Sequence, residues 1–346
     1  MINVTYILGA GFSAPAGVPV MGNFISMSKD LYFSDPNRYS YFKSVFAKID
    51  RLSKIKSYFD ADLFNIEEVL SILETERQLI KATKANREFV SLITDVVNHY
   101  TPPLENFAPE RPANWEDFIF GRHMPEKLYA AFFASMFGLL FSRKSDNDRG
   151  LRIKNFDDPR VYSIVTLNYD LLPERFEQFL AKYFAGGEPM HFQRDRYDEN
   201  DHFPHLAKIH GSSDSKDIIP PTWAKNTTPK LKKTWQIARQ AISRSNHLRI
   251  IGYSLPVTDN YVSYLLKAAI LRSEHLKTID VICLDPTGEV KKRYESFISF
   301  RNFQYFNVNT SDYLNSIYET RVGRGQDLDR TVYFDLEKAH KKFVTI

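Results

Sequence analysis

The chain has 346 residues, of which 14% are aromatic, and a net charge of +4 at neutral pH. This length and aromatic content exclude a disordered chain and predict one large body with an insertion, or two domains. The charge is too small to indicate nucleic-acid binding by itself, and the single cysteine, Cys283, excludes a disulfide framework and a four-cysteine zinc site. No apolar stretch is long enough to cross a membrane and no signal-peptide pattern is present, so we expect a cytoplasmic protein.

The N-terminal residues predict a strand, a tight turn and the start of a helix. An apolar, β-branched run over residues 2–8 ends at Gly9, Ala10 and Gly11, and Ser13 follows where the helix would begin. Glycine lets a backbone turn and approach a ligand closely, and the N–H groups at a helix start attract anions such as a dinucleotide pyrophosphate. The same pattern also occurs in βα turns that bind nothing, so both interpretations stay open.

A conventional Rossmann domain also has an acidic residue about 20 positions after the glycine turn, at the end of a second strand. Asp30 and Asp35 lie at roughly that distance, but no strand is predicted before either of them. The glycine turn therefore binds no nucleotide, or it belongs to a different nucleotide-binding layout.

Residues 25–158 are predicted to form a helical insertion subdomain. Apolar residues recur at helical spacing over residues 41–100, which predicts three amphipathic helices, and again over residues 115–141. The polar run over residues 142–158 ends this helical block.

The following segment, residues 159–322, alternates between short apolar strands and helices. The predicted strands cover residues 161–165, 206–209, 248–251, 281–284 and 303–306, and the predicted helices residues 172–183, 223–243, 261–271 and 289–297. With the first strand, this pattern predicts an α/β fold with a Rossmann-like, mostly parallel six-stranded sheet. Its core would comprise residues 1–24 and 159–322, and residues 323–346 would be a charged C-terminal tail.

The helix predicted over residues 223–243 and the strand after it are rich in basic residues. A solvated helix face explains this charge, so direct nucleic-acid binding is not expected, although contact with nucleic acid or an acidic partner is the alternative. The residues are Lys225, Lys230, Lys232, Lys233, Arg239, Arg244 and Arg249.

Polar or glycine residues follow the predicted strands. They are the glycine turn, residues 166–170, residues 210–212, residues 252–256, and Asp285 with Pro286. Because ligands of an open parallel sheet bind at the carboxyl ends of the strands, this distribution predicts an active cleft there.

These motifs, in this order, resemble those of the sirtuin (Sir2) superfamily, and more specifically of the bacterial SIR2-like domains of antiphage defence systems. Each motif is short, but four of them in the right order, each after a predicted strand, form a specific pattern. The resemblance implies a sirtuin-like fold of the DHS type. The matching segments are Gly9-Ala10-Gly11-Phe12-Ser13 (GAGxS), Gly17-Val18-Pro19 (G-I/V-P), Thr166-Leu167-Asn168-Tyr169-Asp170 (T-x-N-x-D), Ile209-His210-Gly211 (the catalytic HG) and Gly252-Tyr253-Ser254-Leu255 (G-x-S-L).

The sequence departs from sirtuin deacetylases at two points. Those enzymes carry a zinc ribbon of four cysteines after the HG motif, whereas residues 212–222 contain none. Their lid sequence G-I-P-D-F-R becomes Gly17-Val18-Pro19-Val20-Met21-Gly22, which lacks the acid and the arginine. These departures argue against protein deacetylation and leave the NAD-cleaving half of the machinery, as in SIR2-like defence domains that lack the ribbon and hydrolyse NAD.

The resemblance implies a catalytic role for three side chains. Asn168 would position a ribose hydroxyl and the attacking water, Asp170 would hold the nicotinamide carboxamide, and His210 would be the general base. From the residues alone, Asp170 could instead cap the helix that follows it, Asn168 could be a turn residue, and His210 could be structural.

The resemblance also implies a binding site for NAD as the substrate, with no zinc. Ser13 and the amides of Gly9 and Gly11 would take the pyrophosphate, and Ser254 and Asp285 would lie near the adenosine half. From the residues alone, Ser254 could instead belong to a loop without a ligand, and Asp285 could be a turn residue. The full set of implied NAD-binding residues is Gly9, Ala10, Gly11, Ser13, Gly252, Ser254 and Asp285.

The activity implied is that of an NAD+ glycohydrolase that yields nicotinamide and ADP-ribose and depletes NAD during phage infection. The alternatives are a module that binds NAD or ADP-ribose and regulates a defence complex without hydrolysis, and an ADP-ribosyl or acyl transferase of sirtuin type. Since an uncontrolled NADase would kill its host, we expect control by homo-oligomerisation or by a separately encoded partner. SIR2-like domains accompany a HerA-type ATPase or a short Argonaute.

Overall fold

A computed structural model of the chain describes residues 1–52, 68–69, 71–73, 75, 83–103, 123–145, 148–155, 159–182, 184–185, 188–215, 218, 229–257, 259–271, 273–322 and 332–345. The elements follow one another as β1 (Ile2–Leu8), α1 (Ala10–Ser13), α2 (Phe24–Ser34), α3 (Phe42–Leu52), α4 (Thr83–Tyr100), α5 (Met124–Met136), β2 (Leu139–Ser145), β3 (Asp148–Asn155), β4 (Arg160–Thr166), α6 (Leu172–Ala181), β5 (His205–Lys208), α7 (Pro229–Arg244), β6 (His247–Ile251), α8 (Asn260–Ile270), β7 (Thr278–Ile282), α9 (Glu289–Phe297), β8 (Phe303–Phe306), α10 (Thr310–Glu319) and α11 (Leu336–Val344).

Six parallel strands form the central sheet in the order β5-β4-β1-β6-β7-β8. The chain runs outward from β1 through β4 to β5, and then returns to the other side of β1 to run outward again from β6 to β8. This is the strand order of a doubly wound Rossmann fold, whose ligand crevice lies where the order reverses, here at the carboxyl ends of β1 and β6. The predicted α/β class and the six-stranded parallel sheet are confirmed.

Both faces of the sheet are covered by helices, which explains the nearly continuous apolar strands. All residues of β1 after Ile2 are buried, since successive side chains enter opposite cores. One core joins residues such as Tyr6 and Ile164 to α5, α6, α10 and α11, and the other joins Ile7 and Ile250 to α7, α8 and α9.

Helices α2, α3 and α4, which lie between β1 and β4 in the sequence, share a third apolar core that includes Phe24, Phe42 and Phe89. The predicted helices within residues 41–100 are confirmed for α3 and α4, while residues 53–67 and 104–122 lie outside the described part of the chain. The division into a core, an insertion subdomain and a tail stays a prediction.

Two segments differ from the sequence prediction. The helix expected to reach residue 141 ends at Met136, and the polar run beyond it contributes to an antiparallel pair of strands, β2 and β3. The predicted tail contains helix α11, which packs against the core through buried Leu336 and Ala339.

Arg249 corrects the expected solvated basic face, because it points into the core from β6 and is only 2% exposed. Its guanidinium forms two hydrogen bonds, of 2.8 and 2.6 Å, with the carboxylate of Glu337 on α11. A charged residue in the middle of the sheet thus receives its partner from the C-terminal segment. None of the described helices is both long and apolar enough to span a bilayer.

Candidate active site

A cleft of about 460 Å³ opens at the carboxyl ends of the parallel strands. The volume is within the range typical of small-molecule sites. The loops after the strands form one side of the cleft, and apolar side chains of α2 and α4, among them Phe24, Ile93 and Val97, form the other. Of the predicted site residues, those that line the cleft are Gly9, Ala10, Gly11, Ser13, Asn168, Asp170, His210, Gly252 and Ser254.

Asn168 is oriented by two hydrogen bonds from its amide nitrogen. Nδ2 donates to the main-chain oxygen of Gly9 and to Oγ of Ser13, both at 2.9 Å. Because the two amide hydrogens are used in this way, the side chain presents Oδ1 as its acceptor for a ligand. The loop after β4 therefore carries an amide whose orientation is set by the turn after β1.

Asp170 is held through both oxygens of its carboxylate. Oδ2 accepts a hydrogen bond of 2.8 Å from the Ser13 hydroxyl, and Oδ1 accepts one of 3.0 Å from the Leu172 amide at the start of α6. Asp170 therefore accepts a hydrogen bond from the first amide of α6, although Leu171 occupies the N-cap position, and it also lies on the cleft wall. Ser13 accepts from Asn168 and donates to Asp170, so that one hydroxyl orients both side chains.

His210 follows β5 and is 1% exposed, with Nε2 placed 3.6 Å from Oδ2 of Asp259. The same carboxylate oxygen accepts a hydrogen bond of 3.0 Å from the Tyr253 hydroxyl. A buried carboxylate beside an imidazole fixes the ring and stabilises the charge that develops when the ring takes up a proton. His210 and Asp259 thus lie side by side on the cleft wall, as an imidazole and a carboxylate.

Asp259 was not among the predicted site residues, although it lines the cleft and is fully buried. The one sequence signal for Asp259 is its position just before the predicted helix 261–271, in the segment that follows the fourth predicted strand. An acidic residue there is also a common helix cap, so the sequence alone offers no reason to pair it with a histidine from another strand.

Gly9, Gly11 and Gly252 let the turn after β1 and the loop after β6 touch through their backbones. Gly9 N donates to Ile251 O at 3.0 Å, and Gly11 N donates to Gly252 O at 2.9 Å. A side chain at Gly252, whose φ is +63°, would place Cβ 2.2 Å from Phe12 N. These close approaches require glycine for packing of the turn after β1 against the loop after β6.

This contact corrects the expectation that the amides of Gly9 and Gly11 take a pyrophosphate. Both N–H groups are already used by main-chain oxygens of the neighbouring loop. The N–H of Ala10, at the start of α1, takes no part in that contact. Ser13 lines the cleft as expected, but its hydroxyl proton goes to Asp170.

Ser254 and Asp285 lie in different surroundings. Ser254 is exposed at the cleft rim, and its main-chain oxygen accepts a hydrogen bond of 3.2 Å from Nε of Arg293. Asp285 lies outside the cleft lining, and its Oδ2 accepts from the Lys291 amide at 2.8 Å. Desolvation raises the pKa of the Asp285 carboxyl, but hydrogen bonds from backbone amides of α9 and the turn before it outweigh that effect and lower it. The turn explanation therefore accounts for its described contacts.

Cys283 also lines the cleft, next to Leu284. Burial, together with the negative charge of Asp285, raises the pKa of this thiol to about 11. The sulfur is therefore protonated at neutral pH and is a poor nucleophile. Within the described ranges, no group of three or more His, Cys, Asp or Glu side chains could hold a metal ion.

The fold and the cleft define a Rossmann-like α/β protein with a candidate site at the strand ends. A family model described as "SIR2-like domain" matches residues 162–306, which run from β4 to β8 and include Asn168, Asp170, His210 and Asp259. Residues 162–306 are therefore similar to a SIR2-like domain, and this segment carries five of the six strands of the central sheet.

Among solved structures, the chain is similar to Sir2 in complex with the inhibitor EX-527, 2'-O-acetyl-ADP-ribose and a deacetylated p53 peptide. The alignment has 11% sequence identity and a TM-score of 0.35, and covers 92% of this chain and 93% of that chain. No curated protein matches the sequence significantly.

Proposed function

We propose that the protein is an NAD+ glycohydrolase that converts NAD+ and water to nicotinamide, ADP-ribose and a proton. One observation carries the proposal: Asn168 and Asp170, joined through Ser13, line the same cleft as the buried pair of His210 and Asp259. An amide, a carboxylate and an imidazole are the groups that such a hydrolysis needs at one anomeric carbon.

The reaction breaks the bond between the anomeric carbon of the ribose and the nicotinamide nitrogen, and the bonding electrons leave with nicotinamide. The ribose then carries positive charge. The Asp170 carboxylate stabilises this charge across the cleft while it holds the nicotinamide carboxamide, the role that the motif implies for it. Oδ1 of Asn168 accepts a hydrogen bond from a ribose hydroxyl or from water. Water adds to the anomeric carbon, and its proton passes to His210, whose imidazolium is stabilised by Asp259.

The cleft supplies different surroundings for the two parts of the substrate. The apolar wall formed by Phe24, Ile93 and Val97 suits the uncharged nicotinamide ring that departs, because it excludes water from the reacting bond. The pyrophosphate would cross the turn after β1, where the Ala10 N–H can donate to it, and the adenosine would extend toward Ser254. In this arrangement Gly9, Gly11 and Gly252 act by keeping the two loops close together.

The test is the release of nicotinamide from NAD+ by the purified protein, compared with Asn168→Ala and His210→Ala. We expect turnover in the wild type in its active assembly, as a homo-oligomer or with its partner, and a loss of at least about 100-fold in each variant, with folding checked by circular dichroism. Equal rates in all three proteins would remove these residues from the mechanism. Binding of NAD+ with no turnover, alone or with a partner, would favour the regulatory module, and labelled ADP-ribose or acyl groups on an acceptor would favour a transferase.

We also propose that the activity serves bacterial antiphage defence in the cytoplasm and is held inactive in the resting cell. Control would come from homo-oligomerisation or from a separately encoded partner such as a HerA-type ATPase or a short Argonaute. Size analysis combined with activity measurement tests this proposal. A monomer with full activity in the absence of any partner would contradict it.

A further inference from the structure

Lys208, the last residue of β5, reaches across to the loop that carries Asn168 and Asp170. Its side chain is only 10% exposed, and its Nζ donates a hydrogen bond to the main-chain oxygen of Asp170. The same ammonium lies 3.2 Å from Oε1 of Glu174 in the first turn of α6. This lysine does not line the cleft, and the mechanism proposed above gives it no part.

The hydrogen bond completes the attachment of Asp170 to its surroundings. The two carboxylate oxygens are bonded to Ser13 and to the Leu172 amide, and the main-chain oxygen is bonded to Lys208. The residue is thereby fixed at three points that belong to three different segments. Because Asn168 shares the Ser13 hydroxyl with Asp170, a shift of Asp170 would also turn the Asn168 amide.

The position of Lys208 in the sequence connects this loop to the other half of the site. His210 lies two residues after Lys208, directly beyond the end of β5. The ammonium therefore ties the loop after β4 to the strand that delivers the imidazole. The Lys208 ammonium lies between the Glu174 carboxylate and the main-chain oxygen of Asp170, and both of these groups attract a positive charge.

We propose that Lys208 is a positioning residue, whose ammonium holds the Asn168–Asp170 loop in register with His210. The inference rests on the proposed function for its effect on turnover, but the loop attachment itself is measurable without any reaction. The alternative is an ordinary buried ion pair that contributes stability and nothing specific to the site.

The experiment compares Lys208→Met, Lys208→Arg and Lys233→Met in the full chain. Methionine keeps the unbranched apolar stem and removes the charge and the donors, while arginine restores both. Lys233 is the matched control, because its ammonium lies 3.2 Å from Asp195 in an exposed ion pair. For Lys208→Met we expect kcat to fall by about 10- to 100-fold, the loss typical of a misplacement near 1 Å, with KM changed less than about threefold.

The rescue variant separates positioning from stability. Lys208→Arg should recover kcat to within about fivefold of the wild type, because a guanidinium can donate to the Asp170 carbonyl and pair with Glu174. Lys233→Met should leave both kcat and KM unchanged. A fall in activity that only follows the unfolded fraction, or an effect on KM alone, would overturn the inference.

Hydrogen exchange of the backbone amides in residues 167–172 gives a readout that needs no turnover. We expect Lys208→Met to increase the exchange rate of these amides by at least about tenfold over the wild type, after correction for any change in global unfolding. Lys233→Met should leave the rate unchanged. If the wild type cleaves NAD+ neither alone nor with its partner, and the loop still loosens in Lys208→Met, the proposed function fails and the positioning role stands. If the loop does not loosen, the positioning role fails whatever the activity.

Discussion

Oδ2 of Asp259 lies 3.6 Å from Nε2 of His210, and the two side chains are 0% and 1% exposed. Asp259 follows β6 and His210 follows β5, and these two strands flank the pair of β4 and β1 in the sheet. The pairing therefore exists only in the folded protein, at the strand ends where the chain reverses its direction of winding.

Replacement of Asp259 by asparagine tests this pair. Asn keeps the size of the side chain and can still accept the Tyr253 hydroxyl, but it removes the charge that stabilises an imidazolium. We expect kcat for nicotinamide release to fall by about 10²- to 10⁴-fold, as for the loss of general-base catalysis, with a changed pH-rate profile. Asp312→Asn is the control, since Asp312 is an exposed acid in the first turn of α10. An unchanged kcat in Asp259→Asn would remove the pair from catalysis.

Ser13→Ala tests the hydroxyl that joins Asn168 to Asp170. The substitution leaves a buried donor and a buried acceptor without this partner, which costs about 1–3 kcal/mol for each such group. We expect a lower free energy of unfolding in urea, together with a fall in kcat that exceeds the change in KM.

Ser26→Ala is the matched control, because Ser26 makes one exposed hydrogen bond, from Oγ to Asn23 O. It should change neither stability nor turnover. If Ser13→Ala lowered stability and left kcat of the folded enzyme intact, the orientation of Asn168 would not depend on Ser13.

Three glycine-to-alanine substitutions separate backbone strain from steric clash. Gly22 has open space and no left-handed φ, Gly288 has a φ of +78° with open space, and Gly252 has both a φ of +63° and a Cβ clash with Phe12 N. We expect almost no change for Gly22→Ala and a loss of about 1–2 kcal/mol for Gly288→Ala. For Gly252→Ala an overpacking cost of about 1–3 kcal/mol adds to that strain. Equal stabilities of the last two variants, measured in urea, would show that the loops separate without cost.

The sequence predicts the sheet well because its elements depend on local pattern. The bounds of α9 and β8 agree with the prediction to the residue, since Pro286 and Gly288 precede α9 and Asn302 and Asn307 flank β8. The hairpin of β2 and β3 and the helix α11 are not predicted, because their charged composition hides the pairing and packing that stabilise them.

The site shows the same limit. Motif order brings Asn168, Asp170 and His210 to one cleft, because strand ends of a parallel sheet converge whatever the details of packing. The partner of His210 and the true use of the Gly9 and Gly11 amides depend on contacts with residues far away in the sequence, after β6. Spacing along the chain carries no information about such contacts.

A buried chain of hydrogen bonds joins the C-terminal helix to the sheet and leads to the last prediction. Arg249 donates to the Tyr6 hydroxyl at 2.5 Å, Tyr6 and Tyr313 are joined at 3.2 Å, and Tyr313 and Nδ1 of His340 at 3.1 Å. Nε2 of His340 lies 3.1 Å from Oδ2 of Asp280. If each tyrosine donates to the next member, His340 accepts through Nδ1 and donates through Nε2, as a neutral imidazole does.

The lowered pKa values of His340 and Glu337 change stability in the same direction. Burial, followed by the charge of Arg249, lowers the pKa of His340 below its ordinary value of 6.5. Desolvation raises the pKa of the Glu337 carboxyl, but the charge of Arg249 outweighs it and lowers that pKa below 4.5. Below each ordinary value the unfolded chain binds more protons than the folded one, so that stability falls as the pH falls.

We therefore expect the free energy of unfolding to decrease from pH 7 to pH 5 as His340 becomes protonated in the unfolded chain, and again below pH 4.5 through Glu337. Each pKa unit of difference between the two states is worth about 1.4 kcal/mol. His205 and His247, whose pKa values are also lowered by burial, act in the same direction, so His340→Gln should reduce this loss without abolishing it. Urea unfolding of the wild type and the variant at several pH values measures the slopes. A wild type that is equally stable at pH 5 and pH 7, or a variant with the slope of the wild type, would show that the neutral imidazole is not what holds α11 on the sheet.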